Sequence, residues 1–326
     1  MDKGWKQLLA AFLLGAMLPN WILQLRGREM LVPSAPPTTD SLIQKPTEET
    51  EGASMLPVLL DKGSIRMMEL ESYILGVVLA EMPASFEPEA LKAQAVVART
   101  YALRRFTQGD RHSGCAICTD PGCCQAYITE EEYLDSMGNR EDVEKIRKAV
   151  METAGMVLVY GGALAEATYF SCSGGRTEDA SAVWGGEIPY LQAVDSPGEE
   201  NAPIYEKTVY FTKKELCTAL GRSLTGEPQK LLGKVTYTHG GGVATMYIGG
   251  ICYTGTQLRS LLGLNSTAFS VKADTGGIAV TTKGKGHRVG MSQYGAEAMA
   301  VAGKTFGEIL SYYYKGTEID NFTTMG

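Results

Sequence analysis

Residues 151–170 read METAGMVLVYGGALAEATYF, and the hydrophobic period changes within this stretch. Residues 141–152, which lead into it, have the pattern of a helix. Met156–Tyr160 and Ala163–Phe170 are apolar runs on either side of Gly161-Gly162, a combination that predicts a β-hairpin. The chain therefore changes from helices to hairpins here, which predicts an α+β fold with helical segments packed against antiparallel hairpins.

Two more helices are predicted upstream of this stretch. Apolar residues recur at helical spacing from Leu70 to Val78, and Met82-Pro83 predicts that this helix ends close to Glu81. A proline favours the first turn of a helix, so the next helix is expected to begin at Pro88 and to reach about Arg105.

Downstream, a triple glycine separates Lys234–Thr238 from Val243–Ile248 and predicts a second hairpin. The remaining predicted elements are a helix at Gln257–Leu262, strands at Ser270–Ala273 and Ile278–Thr282, and helices near Gln293–Ala302 and Thr305–Tyr314. No internal repeat interrupts this order, which agrees with an α+β domain.

Composition limits the class of partner. The 326 residues are 44% hydrophobic and 21% charged, which is ordinary for a globular protein, and the formal net charge is -7. A nucleic-acid-binding protein needs a basic face, so this balance argues against nucleic acid. A neutral or zwitterionic substrate is easier to reconcile with it.

The N-terminal residues differ from the rest. Leu8–Leu23 is apolar except for Asn20 and has basic residues on both sides, so residues 1–28 are expected to form a transmembrane helix. A cleaved signal peptide is the alternative, although no clear cleavage site follows. Residues 29–55 are rich in proline, threonine and acids, which predicts a disordered linker. Residues 56–326 then form the folded domain.

Glu81 is a candidate general acid. The C-terminal end of a helix has partial negative charge, which disfavours an ionised carboxylate by roughly 0.3–1 kcal/mol. Apolar burial would have to supply the rest of a useful shift. The alternative is an ordinary solvated glutamate at a helix end.

His112, Cys115, Cys118, Cys123 and Cys124 lie within thirteen residues. Imidazole and thiolate at this density are typical of tetrahedral zinc. The spacing allows His112, Cys118 and Cys124 as one ligand set and a pair Cys115–Cys118 as another. Disulfides or free buried thiols are the alternatives.

Two small polar segments resemble parts of a binding cleft. The loop Ser171–Gly175 follows a predicted strand and can present hydroxyl and backbone N–H groups to a sugar or carbonyl oxygen. The segment Gly286–Ala296 combines an imidazole, a hydroxyl, an amide and a phenol just before a helix. An ordinary glycine-rich turn is the alternative for the first of them.

Taken in order, four motifs resemble the stage II sporulation protein D family. They are Glu81-Met82-Pro83 with Glu89–Ala95 and Ala98–Tyr101, then Ile117–Asp120 with Cys124–Tyr127, then Ser171–Gly175, and then Gly286-His287 with Gly290–Ala296. The resemblance extends over about residues 60–320. It is specific because all four motifs occur in the family's order.

This resemblance implies a membrane-anchored lytic transglycosylase of endospore-forming bacteria. Such an enzyme cleaves the bond between N-acetylmuramic acid and N-acetylglucosamine in peptide-stripped peptidoglycan strands and leaves 1,6-anhydro ends during engulfment of the forespore. The family's single catalytic acid/base corresponds to Glu81. Sugar binding is implied for Ser171, Ser173, Gly174, His287, Ser292, Gln293 and Tyr294.

The resemblance also implies a cofactor, partners and a location. In clostridial members a structural zinc ion is held by residues that correspond to His112, Cys118 and Cys124. The implied partners are glycan strands, an amidase or endopeptidase and a membrane scaffold of the engulfment complex. The protein is then expected in the mother cell's engulfing membrane, single-pass, with its catalytic domain outside the cytoplasm and facing the forespore.

Some features depart from the family or leave other functions open. Arg288 stands where a small glycine is expected after the histidine, and either narrows the loop or presents a charge to the lactyl carboxylates of the glycan.

The same domain occurs in amidase enhancers, so a glycan-binding activator without catalysis is the main alternative. A serine hydrolase that uses Ser292 or Ser173 with His287 lacks a nucleophile elbow and a placed acid.

Overall fold

The computed structural model describes residues 55–60, 63–136 and 138–322. They form a mixed α+β structure of helices and small sheets, as the sequence predicts. Two compact units divide them: residues 55–157 with 320–322, and residues 158–319. The anchor predicted for residues 1–28 and nearly all of the linker lie outside the described residues. Within the described ranges, no helix is both long and apolar enough to cross a membrane.

The first unit is mainly helical. Its elements are β1 (Met55–Leu59), β2 (Ile65–Glu69), α1 (Leu70–Glu81), α2 (Pro88–Thr107), β3 (Ile117–Cys118), α3 (Glu130–Ser136) and α4 (Arg140–Glu152). The boundary between the units falls within β4 (Met156–Tyr160) and β14 (Glu318–Asn321).

The second unit is richer in strands. Its elements are β5 (Ala163–Leu164), β6 (Tyr169–Phe170), α5 (Ala180–Trp184), β7 (Glu206–Thr212), α6 (Lys213–Ala219), α7 (Pro228–Leu231), β8 (Leu232–Tyr237), β9 (Val243–Ile248), β10 (Ile251–Thr254), α8 (Gly255–Leu261), β11 (Phe269–Ala273), β12 (Gly277–Lys283), β13 (Met291–Ser292), α9 (Gln293–Val301) and α10 (Phe306–Tyr313).

Local sequence explains where α1 ends and α2 begins. Met82 has an extended backbone, as expected for a residue before proline, and its N–H still donates to Val78 O at 3.0 Å. Pro88 occupies the first turn of α2, where its missing N–H has no cost. Glu81 is therefore the last residue of α1, as predicted.

A buried ion pair joins these helices. The guanidinium of Arg99 on α2 is fully buried and donates to both carboxylate oxygens of Glu71 on α1, at 2.8 and 2.6 Å. It also donates to Val150 O and Met156 O at the end of α4 and the start of β4. Burying a charge is costly unless all its donors find partners, so these bonds fix how α1, α2 and α4 pack.

The sheets of the second unit surround a separate core. Strands β8, β9 and β10 form one antiparallel sheet, and β7, β12 and β11 form another. The hairpin predicted around the triple glycine is confirmed, and so are the strands predicted at Ser270–Ala273 and Ile278–Thr282, which pair with each other. Strands β7 and β10 and helix α6 were not predicted. The signal for α6 was present, because Thr212 and Glu215 form a capping box.

The hairpin predicted across Gly161-Gly162 is only partly correct. Strands β4 and β5 do pair there, but β5 ends at Leu164. The N–H of Glu166 then donates to the hydroxyl oxygen of Tyr190, and β6 pairs in parallel with β13. The non-local pairing of β6 with β13 takes Tyr169-Phe170 out of the predicted hairpin, and local sequence gives no sign of it.

Candidate functional site

Glu81 occupies the end of α1, and its carboxylate is partly buried. The backbone N–H of Ala126 donates to Glu81 Oε1 at 2.9 Å. A backbone donor has no freedom to rotate away, so this bond sets the position of the carboxylate relative to the segment that contains Ala126. The acid of the predicted mechanism is therefore held at a defined place.

The segment Cys124–Tyr127 packs along α1. Gln125 accepts from the Tyr73 hydroxyl at 3.3 Å and donates to Ala98 O on α2 at 3.4 Å. The ring of Tyr127 stacks on that of Tyr73, with centroids 5.7 Å apart. Gly76 is required beneath this stack, because a Cβ there would lie 2.3 Å from the Tyr127 ring. Residues distant in sequence thus form the support for Glu81.

The predicted metal ligands lie together. His112, Cys118 and Cys124 are brought together with Cys123, and one ligand atom from each of the four lies within 4.8 Å of the others. His112 Nε2 is 3.5 Å from Cys124 Sγ. Such a group of soft nitrogen and sulfur atoms fits tetrahedral zinc. Cys115, which the sequence left as an alternative ligand, is buried outside this group.

The thiols of this group are not paired in disulfides. All seven cysteines are free, so the disulfide alternative does not describe this structure. Burial raises the pKa of the Cys118 thiol to about 12. Zinc binds the thiolate form, so an ion bound here would have to displace this proton.

The loop Ser171–Gly175 is organised by a carboxylate that the sequence did not indicate. Glu199 is buried, and its Oε2 accepts from Ser173 N and Ser173 Oγ, both at 2.8 Å, and from Gly174 N at 3.1 Å. The Cys172 thiol donates to the same oxygen, and Ser196 Oγ donates to Oε1 at 2.6 Å. This loop therefore encloses a carboxylate of its own chain.

Two of the predicted sugar-binding residues, Ser173 and Gly174, have a structural role in this loop. Ser173 is completely buried and Gly174 is partly buried. Gly174 has φ 73°, and a Cβ there would lie 2.7 Å from Gly284 N, so only glycine fits. Both residues hold the loop in shape. Ser171 accepts from Tyr294 N at 3.0 Å through its carbonyl oxygen, which joins this loop to the second predicted segment.

His287 is a neutral imidazole between two rings. The Phe170 and Trp184 rings lie 5.6 and 5.4 Å from it, and its Nδ1 accepts from Val289 N at 3.1 Å. Burial lowers the pKa of His287 to about 4, and the charge of Arg259 lowers it further in the same direction. A hydrogen bond with the Tyr169 backbone raises the pKa and opposes these two effects. His287 is therefore held by backbone groups as a neutral ring, which does not attract an anion.

The stability of the protein should depend on His287 in weakly acidic solution. The unfolded histidine takes up a proton near its ordinary pKa of 6.5, while the folded one does so near 4. The unfolded state therefore binds more protons between these values, and stability should fall as the pH is lowered from 6.5 towards 4, by at most about 3 kcal/mol. Urea unfolding at several pH values measures this, and His287→Gln should flatten the dependence. The exposed His239→Gln serves as the control; an equal flattening there contradicts the assignment.

Arg288 does not present a charge to solvent. Its guanidinium is buried and donates to Ser173 O, Arg176 O and Gly240 O at 2.7–2.9 Å, with Glu178 Oε2 3.7 Å away. Of the two roles that the sequence allowed, only shaping of the loop agrees with this burial. Its φ of 67° lies in the region that favours glycine, which explains why a glycine is expected there.

The other predicted residues begin α9. Ser292 is fully buried and caps the helix, because its Oγ accepts from Gly295 N at 3.2 Å. Gln293 is buried, whereas Tyr294 is partly exposed. The structure therefore joins Ser171, Ser292 and Tyr294 in one cluster of the second unit. Glu81 and the group of His112 and the three cysteines are both in the first unit, linked through the segment Cys124–Ala126.

The chain is similar to known sporulation proteins over most of its length. The family model SpoIID, described as Stage II sporulation protein, matches residues 61–160. The chain is 43% identical over 262 residues to Stage II sporulation protein D of Bacillus subtilis (strain 168), which covers 78% of this chain and 76% of the relative. It is 39% identical over 280 residues to the protein of the same name from Bacillus amyloliquefaciens, which covers 84% and 81%. It is 30% identical over 304 residues to the amidase enhancer of Bacillus subtilis, which covers 76% of this chain and 40% of that protein.

Proposed function

Because the chain belongs to the stage II sporulation protein D family, we propose that it serves sporulation as a lytic transglycosylase of peptidoglycan. Its substrate in this proposal is the glycan strand after removal of the stem peptides. The bond cleaved joins N-acetylmuramic acid to N-acetylglucosamine, and the product ends in a 1,6-anhydro sugar.

The observation that supports this proposal best is the placement of Glu81. The carboxyl group of Glu81 lies at the end of a helix, is partly buried and is fixed by the N–H of Ala126, two residues after Cys124 of the candidate metal group. An ordinary glycosidase needs two carboxyl groups, one as acid and one as nucleophile or base. A lytic transglycosylase needs only one, because the 6-hydroxyl of the sugar replaces water.

The proposed mechanism uses Glu81 twice. In its protonated form Glu81 donates a proton to the glycosidic oxygen, and the bond from this oxygen to the anomeric carbon breaks. The carboxylate then takes the proton of the 6-hydroxyl while its oxygen attacks the anomeric carbon, which closes the anhydro ring. The bond from Ala126 N–H stabilises the carboxylate between the two steps.

A zinc ion is part of the proposal, as a structural cofactor held by His112, Cys118 and Cys124. Its function is to fix the segment that leads from Cys124 to Ala126, and thereby the donor to Glu81. Among the residues for which the family resemblance implies sugar binding, His287 and Tyr294 are partly exposed.

The proposal extends to location and partners. In this proposal the apolar segment Leu8–Leu23 anchors the protein in the mother cell's engulfing membrane, with the folded domain outside the cytoplasm. Since the substrate has no stem peptides, an amidase or endopeptidase must act first. A membrane scaffold of the engulfment complex would hold these proteins together.

Mass spectrometry of reaction products tests the activity. The full-length chain is incubated with peptide-free glycan strands, and anhydro-ended fragments are expected. Reducing-end fragments would instead mean hydrolysis and a second carboxylate, which contradicts the mechanism.

The amidase enhancer of Bacillus subtilis supports a second candidate function. In this alternative the domain binds glycan and stimulates an amidase without cleaving the strand itself. It predicts that strands remain intact but are bound, and that Glu81→Gln binds them equally well. Adding the protein to a cell-wall amidase and measuring release of stem peptides distinguishes the two functions.

A further inference from the structure

We propose that Cys123 is a fourth ligand of the zinc site, so that the ion is enclosed by three thiolates and one imidazole. This inference rests on the proposed metal site. It adds a ligand to the three that the family spacing implies, and it changes what the ion can do.

Distances between the ligand atoms support this assignment. Bonds of about 2.3 Å to sulfur and about 2.0 Å to nitrogen place the ligands of a tetrahedral zinc at about 3.8 Å between sulfurs and about 3.5 Å between sulfur and nitrogen. Cys123 Sγ lies 3.9 Å from Cys124 Sγ and 3.9 Å from His112 Nε2. Both separations are within about 0.4 Å of the tetrahedral values, so a small movement of the side chains brings Cys123 into the same tetrahedron.

The backbone explains how two neighbouring cysteines reach the same point. The N–H groups of Cys123 and Cys124 both donate to Asp120 O, at 3.0 and 2.8 Å, and Gly122 N donates to Asp120 Oδ1. This tight turn presents both thiols on one side. A second turn, closed by bonds between His112 and Cys115, brings in the imidazole.

Charge is compatible with three thiolates. Zinc with three thiolates and a neutral imidazole has a net charge of about -1. Arg111, which directly precedes His112 in the chain, supplies a positive charge next to this ligand. Cys123 is also exposed, so the site lies near the surface, where water screens the remainder.

A zinc ion with four protein ligands has no position left for water or substrate. Structural zinc sites have four protein ligands, whereas catalytic ones keep a position for water or substrate. With Cys123 bound, the ion has no such position, and it acts only by fixing the turn that leads through Cys124 to Ala126 and so to Glu81.

Metal binding by the full-length chain in detergent tests this assignment. The variants are Cys123→Ser, Cys123→His and, as a matched exposed thiol outside the cluster, Cys252→Ser. With cobalt in place of zinc, the thiolate charge-transfer band of Cys123→Ser should lose about one third of its intensity, since two thiolates remain of three. Zinc should bind more than about 100-fold more weakly in a chelator competition, because even supporting residues outside the ligand shell contribute about 10–100-fold. Cys123→His should recover most of the zinc affinity, and Cys252→Ser should match the wild type.

An unchanged cobalt spectrum and zinc affinity in Cys123→Ser would overturn the proposal and assign the site three protein ligands. A wild-type chain that binds neither metal would also overturn it. Neither readout depends on glycan cleavage, so failure of this inference is distinguishable from failure of the proposed activity.

Discussion

Glu81→Gln is expected to reduce the rate of glycan cleavage by about 10²–10⁴-fold, the usual contribution of a general acid or base. Glutamine has nearly the same shape, and its amide oxygen can still accept the hydrogen bond from Ala126 N–H. It cannot deliver a proton to the glycosidic oxygen or take one from the 6-hydroxyl. The variant should therefore fold and bind glycan normally but form anhydro ends at this much lower rate.

The measurement is the initial rate of release of anhydro-ended fragments from peptide-free strands, with glycan binding measured in parallel. Glu87→Gln is a suitable control, because Glu87 is an exposed carboxylate before α2 whose side chain makes no cap bond. This control should cleave at the wild-type rate. If Glu81→Gln retained the full rate, another group would be the acid and the proposed mechanism would fail.

Glu199→Ala is expected to lower the free energy of unfolding by about 3–5 kcal/mol, the cost of leaving the partners of a buried charged group unmatched. Its carboxylate accepts from Ser173 through both N–H and Oγ, and from Gly174 and Ser196. Without it, these buried donors have no acceptor and a cavity remains. The Ser171–Gly175 loop should lose its shape, so glycan binding should weaken as well.

Urea unfolding measures the stability change, and the neighbouring Glu200→Ala is a matched control because Glu200 is exposed. Glu200→Ala should change stability by less than about 0.5 kcal/mol. Glu199→Gln should fall between the wild type and Glu199→Ala, since it keeps one acceptor oxygen. Equal stability of Glu199→Ala and Glu200→Ala would show that the buried carboxylate does not organise the loop.

The helices were predictable because their signals are local. The proline at position 83 ends α1 and Pro88 begins α2, and both act on the backbone of adjacent residues. The spacing of His112, Cys118 and Cys124 likewise indicated a metal site, since thiol and imidazole groups this close in sequence can meet through short turns. The fold class follows from the same local patterns.

Non-local contacts could not be predicted in this way. The pairing of β6 with β13 joins residues more than 100 positions apart, and it shortens the predicted hairpin. Glu199 lies in a stretch without a motif, and only folding places it beneath Ser173. Arg288 looked like a departure that could add surface charge, whereas its partners Glu178 and Gly240 bury it.

The sequence by itself determined the α+β class, the end of α1 at Glu81 and the resemblance to a family. It also determined that His112 and four of the seven cysteines lie close together along the chain. These depend on residue type and on spacing along the chain. Only the tertiary structure decided that Ala126 holds Glu81, that Cys123 rather than Cys115 lies with His112, Cys118 and Cys124, and that Ser173 binds a carboxylate of its own chain. The reason is physical: a buried polar group must find a partner, and chain packing decides which one it meets.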